Sequence, residues 1–130
     1  MSDFSKALDV TTSGLKAQAT RLRHLSENIS NADTPGYRRK LVSFETDFAS
    51  GSGIAKVETG RVRLDRSELE RVYDPSHPMA QEDGYYESSN VDLMIELSDA
   101  REAQRSYEAN LKVFEQTRKM SSSLMDLLRK

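Results

Sequence analysis

From Leu93 onward the apolar and small residues recur as Leu93, Leu97, Ala100, Tyr107, Leu111, Phe114, Ser121, Met125 and Leu128. Steps of three, four and seven mark one face of a helix held close to a heptad repeat. The last proline is Pro78 and the last glycine is Gly84, so nothing in Asn90–Lys130 breaks a helix. The pattern predicts one helix of about 38 residues, about 57 Å long at a rise of about 1.5 Å per residue. Ser89-Asn90-Val91-Asp92 fits a capping box at its start, and Asp92 suits the positive end of the helix dipole. Glu108 with Lys112 and Glu115 with Lys119 are opposite charges in the favourable order on its outer face. Few small domains can bury a rod of that length, so its stripe calls for a partner.

A second amphipathic helix is predicted from Phe4 to about Ile29. Leu8, Leu15, Leu22 and Ile29 repeat every seven residues, and Phe4, Thr12, Ala19 and Leu25 widen the stripe. Gly14 interrupts it at about 1 kcal/mol against alanine, which implies either a close backbone approach or simple tolerance. The stripe is narrow, and two such helices bury little against each other. Helix one must stop by Asn31–Asp33, because Thr34 precedes Pro35 and is pushed to an extended conformation. Thr34-Pro35-Gly36-Tyr37 fits a type II turn with glycine at the positive-φ position.

Between the helices the hydrophobic pattern is short and broken. Leu41, Phe44 and Phe48 suit either a helical turn or a strand lying on a neighbour. Ala49-Ser50-Gly51-Ser52-Gly53 reads as a flexible loop. Ile54–Asp65 reads as a hairpin that turns at Glu58-Thr59-Gly60, with Val57 before the turn and Val62 and Leu64 after it. Ser67–Val72 is ambiguous, and Tyr73–Pro78 and Glu82–Tyr85 are turn-rich. The expected fold is mainly α: long N- and C-terminal helices paired as a coiled coil, with a small, loop-rich, β-containing insert. The expected division is 1–33 for the first helix, 34–89 for the insert and 90–130 for the second helix. The two helices together form one helical domain.

Composition narrows the partners. The 130 residues are 36% hydrophobic and 31% charged, polar for a chain that must build its own core. A net charge of -2 offers no overall basic field for nucleic acid or anionic lipid. Leu41–Ser89 carries 5 basic and 10 acidic residues, so the middle is acidic while the ends are balanced or slightly basic. Arg38, Arg39 and Lys40 form the densest basic cluster, without the second basic stretch or aromatic interleaving of a nucleic-acid site. No stretch is apolar enough to span a membrane, and the first residues do not form a cleaved signal peptide.

Candidate chemistry is sparse. There is no cysteine, which excludes disulfides, thiolate metal sites and cysteine nucleophiles. His24 sits near the helix-one stripe and reads as a packing or surface residue. His77, between two prolines and near Asp74, could mimic a base with its orienter, but no nucleophile or phosphate cradle accompanies it. A rigid turn is the better reading. Two distant histidines and scattered carboxylates do not make a metal site. The residues call for no enzyme, no cofactor and no metal.

Three stretches together carry a resemblance. Ser13-Gly14-Leu15-Lys16-Ala17-Gln18 runs on to Asn28-Ile29-Ser30-Asn31-Ala32-Asp33-Thr34-Pro35-Gly36-Tyr37. Asp74-Pro75-Ser76-His77-Pro78 is followed by Asp83-Gly84-Tyr85. Asn90-Val91-Asp92 is followed by Ala100, Arg101 and Tyr107-Glu108-Ala109-Asn110. The set resembles the bacterial flagellar basal-body rod and hook family, and its second and third members look like the proximal-rod branch.

That resemblance implies a structural subunit that leaves through the flagellar type III export apparatus without a cleaved signal. It would stack helically into a hollow, torque-transmitting shaft across the periplasm, with copies of itself and other rod proteins as partners. The terminal helices would pair and line the tube, and in the free monomer such ends are commonly disordered. Nucleic-acid binding and direct membrane insertion are not implied. The assembly interface is expected at Leu8, Leu15, Leu22 and Ile29 on helix one and at Val91, Leu97, Tyr107, Asn110, Leu111, Phe114 and Leu128 near or on helix two. Asn28, Asn31, Pro35, Gly36 and Tyr37 would set the chain's exit from helix one. Alternatives are another rod or hook component, a soluble helical-hairpin secretion chaperone, or a small hydrolase built on His77 and Asp74.

Overall fold

A computed structural model describes residues 2–48 and 53–129. The expected Ala49–Ser52 part of the loop lies outside them. Helix α1 spans Ser2–Ser30 and helix α2 spans Leu93–Leu128, 29 and 36 residues. The two run antiparallel: Phe4 lies beside Met120, Gly14 beside Asn110, and Arg21 Nη2 is 3.8 Å from Glu102 Oε2. Both helices form where the sequence lacks proline, and α2 is rich in Ala, Leu, Met, Glu, Arg and Lys.

The start of α2 differs from the expectation. Asp92, not Ser89, is the N-cap, with an extended backbone and a carboxylate that accepts from the N–H groups of Met94 at 3.0 Å and Ile95 at 3.5 Å. Ser89 is buried and uses its hydroxyl elsewhere, donating to the Ala32 carbonyl and so tying the two helix-flanking segments together. The same oxygen also accepts from Val91 N at 3.3 Å, but the helix begins only at Leu93, so the cap position falls to Asp92. Nor do the surface pairs Glu108–Lys112 and Glu115–Lys119 close to ion pairs among the described residues. Gln104 Nε2 instead donates to Glu108 Oε1 at 3.5 Å.

The Pro35-Gly36 turn is present, with Gly36 at φ 75° and Tyr37 N donating to Thr34 O at 3.1 Å. The insert departs from expectation at its hairpin. Strands β1 (Lys40–Leu41), β2 (Phe44–Asp47), β3 (Lys56–Thr59) and β4 (Arg63–Leu64) form one ribbon in which β1 pairs with β4 and β2 with β3, all antiparallel. The chain therefore reverses beyond Asp47 and before Lys56, not at Glu58-Thr59-Gly60. Gly60 does not adopt the positive φ of a tight turn. It permits close approach instead: an added Cβ would stand 2.5 Å from Glu45 Oε1 and 2.7 Å from Ser43 Oγ. Between the two ladders Gly60–Val62 spans opposite Val42–Ser43, with Gly60 N donating to Ser43 O at 2.8 Å. A second small hairpin pairs β5 (Arg71–Tyr73) with β6 (Tyr85–Glu87), closed by a loop that ends at Gly84 with φ 83°.

Burial shows how little core the chain supplies. Among the described residues the buried apolar side chains are Ala17, Leu25 and Ala103. The chain exposes 9333 Å². A compact monomer of 14.7 kDa exposes about 7,000 Å² by area scaling. The excess is the signature of a thin rod with unfinished faces.

Candidate assembly interface

The seam between the helices is built from small and polar residues. On α2 the covered or half-covered positions are Glu96, Ala100, Ala103, Tyr107, Asn110, Phe114, Thr117 and Ser121, a run of alternating three- and four-residue steps. Gly14 faces this seam so closely that an added Cβ would stand 3.1 Å from Asn110 Nδ2. Close approach, not tolerance, explains the glycine. An added methyl would crowd the Asn110 side chain, so the missing Cβ lets that amide seat against α1.

The apolar stripe divides between the seam and its edge. Tyr107, Phe114 and Asn110 lie half-buried in the seam, whereas Leu8, Leu15, Leu22 and Ile29, also half-buried, lie on a flank of α1 about 60–120° round the helix from Gly14. Leu97 and Leu111, expected to pack within the subunit and between subunits, stand at the seam's edge, 45% and 37% exposed, because at about 100° per residue they lie about 120° and about 80° round the helix from Ala103. On the opposite edge Val113, Met120 and Leu127 form a second exposed column at seven-residue steps, 55%, 53% and 67% exposed. Leu128 is 74% exposed, near the end of α2. Helix α2 therefore carries apolar flanks on both sides of the seam that α1 covers.

At the other end of the hairpin lies a polar corner. Asn28 and Glu96 are fully buried. Asn28 Oδ1 accepts from Tyr37 Oη and from Lys40 N, each at 2.8 Å, and Asn28 Nδ2 donates to Lys40 O at 3.0 Å and Glu96 Oε2 at 3.3 Å. One amide thus holds α1, the exit turn, β1 and α2. Arg39 Nε donates to Glu96 Oε1 at 2.5 Å, and its other nitrogens stand 3.6 Å from Asp65 and 3.9 Å from Asp99. Asn90 Oδ1 accepts from Arg39 N at 2.7 Å while its Nδ2 donates to Asp65 O at 2.9 Å. Asn31 Nδ2 donates to Glu27 O at 2.8 Å and its Oδ1 accepts from Thr34 Oγ1 at 3.0 Å, which closes the end of α1. Pro35 and Val91 are half-buried beside this corner, and Gly36 is exposed.

Electrostatics at the corner is internally matched. Lys40 Nζ lies 2.6 Å from Glu27 Oε2. That bond holds the Glu27 carboxyl below its ordinary pKa and the Lys40 ammonium above its own. Asp65 is also held low, chiefly by the backbone N–H of Ser67. Burial pushes the Tyr37 phenol up, so it remains a hydrogen-bond donor. The basic run is consumed here: Arg39 and Lys40 are paired, and Arg38 Nη1 donates to the carbonyls of Asp65 at 3.2 Å and Ser67 at 3.0 Å.

Asn28, Asn31 and Tyr37 were legible as exit residues; Arg39 was read only as part of a basic cluster and Asn90 only as part of a motif, and Glu96 was not singled out. The signal available for Glu96 was an acid at seven-residue spacing from Ala103 and Asn110 on the same helix face.

The histidines take structural places. His24 is buried on α1 with Nδ1 3.8 Å from Glu27 Oε2, and neither ring nitrogen has a hydrogen-bond partner among the described residues. His77 stacks on Tyr86 with centroids 3.9 Å apart, and its Nδ1 accepts from Met79 N at 3.0 Å. Asp74 spends its carboxylate on Ser76, whose hydroxyl donates at 2.6 Å. The pair is a folded turn and not a base with an orienter.

Comparison with known proteins agrees along the chain. Residues 8–38 match the family model "Flagella basal body rod protein", and residues 82–127 match "Flagellar basal body rod FlgEFG protein C-terminal". The chain is 44% identical to the flagellar basal-body rod protein FlgC of Agrobacterium fabrum, covering 99% of this chain and 98% of the relative. It is 33% identical to FlgC of Salmonella typhimurium, covering 92% and 93%, and 34% identical to FlgC of Bacillus subtilis, covering 93% and 95%.

Proposed function

The chain belongs to the flagellar basal-body rod protein family, among proteins of the FlgC type, and from that premise we infer how it builds the shaft. It is a structural subunit of the proximal rod, without catalytic function. It assembles helically with copies of itself and with other rod proteins, and it leaves the cell interior through the flagellar type III apparatus to reach the periplasmic part of the basal body.

The observation that carries the packing is the pair of bare apolar flanks on α2. Fully burying one leucine contributes about 1.5–3 kcal/mol. Neighbouring subunits that cover Leu97, Leu111, Val113 and Leu127 offset the ordering entropy of two long helices that a free monomer cannot repay. Contacts of this kind use different faces of each subunit and therefore propagate as an open helix. Leu8, Leu15, Leu22 and Ile29 with the seam residues Tyr107, Asn110 and Phe114 shape the hairpin, while Leu97, Leu111 and Leu128 face the neighbours. Asn28, Asn31, Pro35, Gly36, Tyr37 and Val91 fix the angle at which the insert leaves it.

The test is Leu111→Asp. Secretion is expected to persist and the chain to be missing from purified basal bodies. Normal incorporation overturns the packing. A secretion chaperone would instead be absent from basal bodies even when unaltered.

A further inference from the structure

The insert separates its charges along the chain. Between Gly53 and Arg66 there are four basic and two acidic residues; between Ser67 and Ser89 there are one and six. The basic part lines a groove of about 970 Å³ along the β1–β4 ladder, walled by Arg38, Arg63 and Arg66 with Leu41 and Leu64. Leu64 is 55% exposed. Arg63 and Arg66 have no ion-pair partner among the described residues, and Arg38 is held in place by carbonyls that leave its charge uncompensated. Asp65 on this wall is already turned to Ser67 and Arg39.

The acidic part is the tip of the β5–β6 hairpin. Glu82 is exposed and unpaired among the described residues, and Asp74 and Asp83 stand on either arm of the loop. Asp83 is paired with Arg71 of its own hairpin at 2.7 Å, so the tip's uncompensated charge is that of Glu82 and Asp74. Hydrogen bonds from Ser76 and from the Tyr85 backbone hold the Asp74 and Asp83 carboxyls below their ordinary pKa, so the tip keeps its charge across neutral pH. Tyr73 and Met79 are each 63% exposed beside them. Groove and tip are therefore complementary twice over: cationic against anionic, and apolar against apolar. None of the tip residues lines the groove of its own subunit.

Resting on the rod-subunit reading, we propose that the arginine groove receives the acidic β5–β6 tip of a second copy of this chain, a head-to-tail contact that sets lateral register in the shaft. Such a contact uses two different patches per subunit and so continues from copy to copy. Opposed charges suppress wrong registers, and like charges at a slipped register repel.

The chain has no cysteine, which makes the geometry directly testable. Full-length chain carrying Leu64→Cys and Met79→Cys together, incorporated into basal bodies and oxidised, is expected to yield a ladder of linked copies. Basal bodies that contain the variant but show no linkage overturn the proposal. Charge reversal tests the recognition: Arg63→Glu with Arg66→Glu is expected to lower the chain's occupancy in basal bodies about tenfold. Adding Glu82→Lys and Asp83→Lys to the same chain is expected to restore it. Wild-type occupancy of the first variant, or no rescue by the second pair, overturns the groove while the rod reading stands. Absence of the unaltered chain from basal bodies removes the rod reading, and the proposal with it.

Discussion

At one end of the α1–α2 hairpin a carboxylate, an amide and a guanidinium are sealed together; at the other, leucines face solvent. The corner around Asn28, Arg39 and Glu96 satisfies its polar groups within the chain, with Asn28 and Glu96 at 0% exposure. The far end leaves Leu127 and Leu128 at 67% and 74% exposure. Buried polar groups specify geometry because any other arrangement strands them without partners. Exposed apolar groups specify nothing alone, but they add stability once a partner arrives. The corner thus fixes the subunit's shape, while the apolar flanks of α2, from Leu93, Met94 and Leu97 beside it to Leu127 and Leu128, are left for assembly. A rod subunit needs both, since a corner of the wrong angle would carry the flanks out of register with the next copy.

Substitutions separate the two ends. The largest effect is expected from Glu96→Ala, which leaves Arg39 half-buried without its closest partner. A loss of about 3 kcal/mol is expected, read as faster amide exchange across Asn28–Lys40 and a lower melting temperature. Unchanged exchange there would show that the corner does not hold the hairpin.

Gly14→Leu comes next. It wedges the seam at Asn110 and is expected to destabilise by about 1–3 kcal/mol through overpacking, measured as lost helical circular dichroism on heating. A neutral result would mean the helices do not approach as closely as the seam requires.

Leu127→Asp is expected to change stability by less than about 0.5 kcal/mol while removing the chain from basal bodies. If it destabilised the free chain as strongly as Glu96→Ala, the contrast between the ends would fail.

The smallest effect is electrostatic. Glu27 is held below its ordinary value of 4.5, so the Glu27–Lys40 pair contributes at neutral pH and that contribution is lost as pH falls through the folded value. Lys40 is held above 10.5, so the same contribution is lost again as pH rises through its folded value. Asp65, also lowered, adds to the acid limb. Lys40→Met is expected to flatten both of the Glu27–Lys40 limbs, seen in a carboxyl NMR titration of Glu27 and in the acid melt.

Read back onto the chain, legibility tracks how local the cause is. The α2 rod was readable because its cause is an unbroken run of helix formers with a heptad rhythm, and the end of α1 because Pro35 and Gly36 each act on their own backbone. The cap was misplaced by three residues: the first turn starts at Leu93, after Ser89 has been drawn into the tie to Ala32 that joins the two helix-flanking segments. The hairpin was misread because Gly60 next to Thr59 looks like a turn. Its glycine is needed for the approach of Ser43 and Glu45 across the ribbon, a contact seventeen residues away that no local window contains. The stripe on α2 was counted correctly as helical; Ala100, Tyr107, Phe114 and Ser121 of it lie in the seam, and Leu97 and Leu111 stand at its edge.

What the residues by themselves determined is therefore periodicity and punctuation: two amphipathic helices, a tight exit turn, a broken middle and a surplus of apolar surface. Tertiary structure decided which sector of α2 meets α1, which strand partners which, and that Glu96 and Arg39 close the corner. The physical reason is distance along the chain. Helix rhythm and turn chemistry act over a few residues, whereas seam choice depends on Gly14 meeting Asn110 and Asn28 meeting Glu96, pairs brought together only when the chain has folded back on itself.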